Sequence, residues 1–230
     1  MKRALFLAAV LSFLSIRAAN GSAITATADI ANGISTANGI DLAAGNLVMI
    51  GTFSISDALI QANANNLTFL NANFNEFGVA HIGDGVGNLA GLFASAQINR
   101  PDSDTAGFAN QQIYLWFLSS TNNSSPAQSL ATATQQGIFY LSGSANARWY
   151  IPGNTTTPND TAIDLSDLTS SSNRSQLVTG AHVVLGSFPN GTNQTTGKAD
   201  FSLQSVPEPG SAALALLGGA AMLIRRRRVI

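Results

Sequence analysis

The sequence has no cysteine, only two histidines, and 10% charged residues, against roughly 25% in an ordinary domain. Each shortage closes off some chemistry. Without cysteine there is no disulfide, no thiolate zinc site and no thiol nucleophile, and the redox compartment stays undetermined. His81 and His182 stand a hundred residues apart and no H-E-x-x-H occurs, so a histidine metal triad lacks ligands. Glu76 is the sole glutamate between residues 22 and 205, and sequence alone does not pair it with a second carboxylate for glycoside hydrolysis. No G-x-S-x-G elbow is present.

The charge that exists is unevenly placed. Lys2, Arg3, Arg17 and Arg225, Arg226, Arg227 and Arg228 hold most of the cations, leaving Arg100, Arg148, Arg174 and Lys198 in the body. Eleven acids stand against those four, so the body is near −7 although the whole chain is near neutral. A surface of that sign argues against nucleic acid as a partner. Ala, Gly, Asn, Ser and Thr make up much of the rest. The 45% hydrophobic content is too high for a disordered chain and allows one sizeable core.

The first residues, MKRALFLAAVLSFLSIRAANGSA, place Lys2 and Arg3 before an apolar run from Ala4 to Ile16, with Gly21, Ser22 and Ala23 following. That is the layout of a secretory signal peptide. The expected cut follows Ala23, with Ala19 or Gly21 as alternative positions, giving segments 1–23, 24–205 and 206–230.

The last of these segments reads VPEPGSAALALLGGAAMLIRRRRVI. Its apolar run, Ser211 to Ile224, spans about 21 Å as a helix, against a hydrocarbon core of about 30 Å. Pro207, Glu208 and Pro209 bar its extension upstream. The four arginines favour the cytoplasmic side, which leaves the body outside. A short hold on the membrane fits this design better than a permanent span. The combination of Pro207-Glu208-Pro209, a short apolar helix and Arg225 to Arg228 resembles the PEP-CTERM sorting domain of Gram-negative bacteria. The resemblance covers roughly a tenth of the chain. It implies recognition by an integral-membrane exosortase after passage through the secretion machinery. It also implies transient residence in the inner membrane and a final place at the cell surface or outside, often alongside extracellular polysaccharide. The body carries no part of this resemblance.

The body itself is expected to be mainly β, an antiparallel sandwich or jelly-roll-like domain flanked by the signal helix and the C-terminal apolar helix. ITATADI alternates, and NLVMIGTFSI places Gly51 at a bulge or close approach. GLFASAQI, NQQIYLWFLSS, QQGIFYLSG, ARWYIP, QLVTGAHVVLGSF and KADFSLQS supply further strands. Ile113, Leu115 and Phe117 share one face and Tyr114, Trp116 and Leu118 the other, which marks a central strand. Between about 57 and 77 the spacing of Leu67, Leu70, Phe74 and Phe77 predicts one or two short helices capped by Ser56 or Asp57 and covering an open end or edge. The duplicated ANGI at residues 31–34 and 37–40 predicts two Asn-Gly turns.

Several loops have to be weighed for chemistry. HIGDGVGN, residues 81–88, lacks the third glycine, the following lysine and an obvious preceding strand of a phosphate loop, and reads as a turn. Asp102 and Asp104 match the first and third positions of a calcium loop, but Ala106 fills the fifth and no glutamate closes it. Asp160, Asp164 and Asp167 read as turn and cap residues. Trp116 and Trp149, with Tyr114 and Tyr150, are candidates for stacking on sugar rings, although sandwich core accounts for the same residues. N-x-S/T triplets at Asn66, Asn122, Asn123, Asn154, Asn159, Asn173, Asn190 and Asn193 offer glycosylation sites that composition alone also explains. The resulting expectation is an exported, non-enzymatic surface or matrix protein with no cofactor. The alternative is a carbohydrate-binding module for extracellular polysaccharide.

Overall fold

The computed structural model describes residues 21–206 except 31, 103, 105, 154–158 and 190–199. The signal segment, Pro207 to Pro209 and Arg225 to Arg228 lie outside the described residues. Within them no helix is long and apolar enough to cross a membrane.

The body is mainly β, and its described residues form three sheets and three short helices. The strands are β1 (Ser22–Ala28), β2 (Ile34–Ser35), β3 (Leu47–Phe53), β4 (Phe74–His81), β5 (Phe93–Ala94), β6 (Ile98–Arg100), β7 (Tyr114–Ser120), β8 (Ala133–Leu141), β9 (Asp160–Asp164), β10 (Ala181–Leu185), β11 (Phe201–Ser202) and β12 (Gln204–Ser205). Strands β10-β8-β7-β3-β4 form an antiparallel sheet, extended by β12 on β8. A second sheet centres on β1, with β5 and β6 antiparallel to it and β9 parallel; β2 and β11 form a third, parallel pair. The parallel pairings depart from the all-antiparallel expectation. Asp164 and Asp167 are cap residues as expected, but Asp160 opens a strand, residues 160–164, that runs beside β1 over five positions.

β7 lies between β3 and β8, as its two apolar faces require. Trp116 and Tyr114 point to one side, where they meet Phe53 and Phe74. Phe117 points to the other and packs on Phe93 of β5 and Phe139 of β8, which in turn meets Phe201 of β11. A continuous core therefore runs through the large sheet from face to face.

Helices α1 (Asp57–Ala62), α2 (Leu67–Ala72) and α3 (Pro126–Ala131) each begin on a side-chain cap, supplied by Ser56, Asn66 and Ser125. α1 packs against β10 and α2 against β4, the two outer strands of the large sheet. The helical pattern expected to reach residue 77 stops at Ala72, because Phe74 and Phe77 belong to β4. Their spacing of three comes from a bulge. Ile50 pairs with Gly78 and Gly51 with Glu76, so Phe77 is the extra residue. Gly51 is also a point of close approach, since a Cβ there would lie 2.2 Å from the Asn75 carbonyl oxygen. ARWYIP is not a strand either; Ser144–Trp149 forms a 3-10 turn, and Tyr150 makes a single bridge to Gln112.

The two ANGI copies take different roles. Asn38-Gly39 makes the expected turn, with Gly39 at φ 75° and Ile40 exposed. Asn32 instead is fully buried, its side-chain Nδ2 donating to the Arg174 carbonyl and its Oδ1 accepting from Thr169 Oγ1. Ile34 enters the parallel β2–β11 pair and is buried, so tertiary pairing overrides the local turn preference.

Candidate functional site

Neither tryptophan has a ring face available to a ligand. Trp116 and Trp149 are both 0% exposed. The Trp116 indole N–H donates to Gln136 Oε1 at 3.0 Å, and that of Trp149 donates to Asp167 Oδ2 at 2.9 Å. Burial removes both as sugar-stacking candidates and leaves the core reading: Trp116 is buried by the alternation of β7 and Trp149 at the end of the 3-10 turn Ser144–Trp149. Tyr114 is buried beside Trp116 as well.

The calcium candidate also resolves into ordinary loop contacts. Arg100 Nε donates to Asp102 Oδ1 at 3.1 Å, and the Asp102 carbonyl accepts from Ala106 N. Among the described residues no group of three or more histidines and acids is placed to hold a metal. Residues 81–88 form a turn, with Gly83, Gly85, Gly87 and Asn88 at positive φ, and Asp84 Oδ2 accepting from the His81 N–H. A strand does precede it, since β4 ends at His81. Asp164 and Asp167 form a reciprocal capping box at the start of the turn Leu165–Leu168.

The cluster that the sequence did not reveal is built from four separate segments. Ser56 caps α1 and so fixes Asp57 in its first turn. Tyr114 of β7 and Tyr140 of β8 project toward it. The Tyr140 hydroxyl donates to Asp57 Oδ2 at 2.7 Å, and that of Tyr114 to Oδ1 at 3.3 Å. His182 of β10 is the registered partner of Tyr140, and the two rings stack with centroids 4.3 Å apart. His182 Nε2 lies 3.0 Å from Ser142 Oγ, while Nδ1 lies 3.7 Å from Asp57 Oδ2.

Serine, imidazole and carboxylate thus follow one another in space, but the carboxylate is committed elsewhere. Two phenols hold Asp57, and 3.7 Å is beyond the hydrogen bond that would orient the imidazole in an acyl-transfer relay. Ser142 Oγ also lies 3.2 Å from the Gly180 carbonyl, to which it can donate. The geometry works as a clasp that ties α1 to three neighbouring strands. His182 belongs to a strand face, as its position in TGAHVVLG suggested. Alternation within IFYLSG puts Tyr140 and Ser142 on one face; only the β8–β10 register brings His182 there, and only the helix cap brings Asp57.

No family model, curated protein or solved structure matches this chain. The candidate site therefore stands on its own geometry.

That geometry carries a pH signature. Burial, and then the adjacent Asp57 carboxylate, push both Tyr114 and Tyr140 above the ordinary phenol value of 10.0. The folded state holds both protons after the unfolded chain has begun to release them. Their contribution is complete below about pH 10 and falls as the pH rises above it. Urea midpoints measured from neutral to alkaline pH are expected to drop above about pH 10, and Tyr140→Phe to flatten that drop. An unchanged slope in the variant would remove Tyr140 from the account.

Of the N-x-S/T triplets, those at Asn154, Asn190 and Asn193 lie outside the described residues, and four of the others have asparagines with structural duties of their own. Asn66 caps α2, Asn122 and Asn173 accept from backbone N–H groups two residues on, and Asn159 Nδ2 donates to the Gly21 carbonyl. Turn and cap chemistry accounts for Asn66, Asn122 and Asn173.

Proposed function

We propose that this is an exported, non-enzymatic cell-surface or extracellular-matrix protein whose tail is read by an exosortase. The observation that carries the reading is the tail pattern, Pro207-Glu208-Pro209 followed by Ser211 to Ile224 and Arg225 to Arg228. The junction with the body supports it. The Val206 N–H donates to the Thr134 carbonyl at 2.8 Å, so the P-E-P triplet begins one residue beyond a backbone contact with the body. Proline has no N–H with which to continue such pairing. The body is read as a sandwich, its faces being the large sheet and the β1 sheet, which meet through Phe117 and Phe93 at 5.9 Å. The non-enzymatic reading draws on the commitment of Asp57 to two phenols.

Mass spectrometry of the surface form tests the proposal. The expected C-terminus lies near Pro207 to Pro209, with the apolar run and arginines removed. A surface form intact through Ile230 would refute processing.

A further inference from the structure

We propose that the leader is cut between Gly21 and Ser22, so that the exported chain begins at Ser22. This rests on the export reading above and changes the leader boundary expected from sequence. The small residues Gly21, Ser22 and Ala23 resemble the end of a signal peptide, but the fold gives them a second reason to be small. A Cβ on Gly21 would lie 2.0 Å from the Arg100 carbonyl oxygen. Ser22 is fully buried and its hydroxyl donates to the Pro152 carbonyl. Ala23 stands opposite Asn99 of β6 and beside Asp160 of β9, and its N–H donates to the Asn159 carbonyl at 3.0 Å.

A cut after Ala23 would therefore remove two residues of β1. It would strip Asn99 and Arg100 of their β1 partners and leave the Asn159 carbonyl without the Ala23 N–H. Ile24, the new first residue, would lie between Ile98 of β6 and Thr161 of β9 with the strand start ahead of it gone. A cut after Gly21 keeps both residues. Gly21 itself precedes β1 and lies on the wall of an open groove with Ala23, Asn99, Asn159 and Asp160. The bond from Asn159 Nδ2 to the Gly21 carbonyl is lost where solvent can replace it.

The peptidase's own requirement admits this bond and excludes the cut after Ala19. Small residues are needed at the last and third-last positions of the leader. A cut after Gly21 presents Ala19 and Gly21, whereas a cut after Ala19 presents Arg17 at the third-last position, which is neither small nor neutral. Among the three positions open on sequence, the Gly21–Ser22 bond alone satisfies the peptidase and spares β1.

The test is N-terminal peptide mass spectrometry of the full-length chain expressed in an exporting Gram-negative host. The expected extracytoplasmic form begins at Ser22. A form beginning at Ile24 or Asn20 overturns this site while the export reading stands. An uncut chain retained in the cytoplasm overturns both. Ala19→Leu alters the third-last leader position without touching a described residue, and is expected to abolish the Ser22 form. An undiminished yield of Ser22 chains from that variant would also overturn the site.

Discussion

Trp116→Ala is expected to lower the free energy of unfolding by about 3–5 kcal/mol, enough to remove much of the stability of an ordinary domain. Trp116 sits in the middle of β7, paired with Met49 of β3 on one side and Ile138 of β8 on the other. Its ring meets Phe53 at 5.6 Å and Phe74 at 5.4 Å, so truncation opens a cavity beside two aromatic rings. Its N–H also satisfies the fully buried Gln136, whose own amide donates to the Ala64 carbonyl in the segment between α1 and α2. Trp116→Phe separates these two losses. It keeps most of the apolar volume but leaves Gln136 Oε1 without its donor, a loss of about 1–3 kcal/mol. Urea unfolding followed by far-UV circular dichroism gives both values. A stacking platform would behave in the opposite way, with the alanine variant keeping its stability and losing polysaccharide binding.

The legibility of this protein follows from which forces are local. Alternation showed β7 to be central, because burial on both faces leaves its mark within seven residues. Gly51 could be read as a bulge position because a glycine inside an apolar strand has few other reasons to be there. The Ser56 cap was legible for the same local reason. Errors arose wherever a distant segment decided the outcome. Phe74 and Phe77 mimic a helical repeat because the bulge opposite Gly51 adds a residue to β4. Asn32 and Asn38 have identical neighbours, yet the first is buried by Arg174 and Thr169 from far along the chain. Asp160 reads as a turn residue, yet the parallel edge of β1 draws it into a strand. The Asp57 clasp could not be read at all. Its members come from α1, β7, β8 and β10, and only strand register places His182 on Tyr140.

Asp167 governs the second large effect, and it shows how an aspartate that reads as a turn residue can hold a core together. Its side chain is 9% exposed, and Oδ2 accepts from both the Trp149 indole N–H at 2.9 Å and the Asp164 backbone N–H at 3.1 Å. Oδ1 accepts from Arg148 Nη2 at 2.6 Å, an arginine whose side chain is largely in solvent. Asp167→Ala leaves the buried indole N–H without a partner and removes half of the capping box, for an expected loss of about 2–4 kcal/mol. Asp167→Asn can retain the Oδ2 contacts through its amide oxygen, but it turns a donor toward the guanidinium. Its expected loss is about 1 kcal/mol, in the range of an exposed ion pair. Arg148→Ala should match the asparagine variant rather than the alanine one, since it removes only that exposed pair. Equal losses from Arg148→Ala and Asp167→Ala in urea unfolding would contradict this ordering and shift the weight to the surface pair. The expected order instead assigns it to the bond that fixes Trp149 in the core, which is why that indole is unavailable to a ligand.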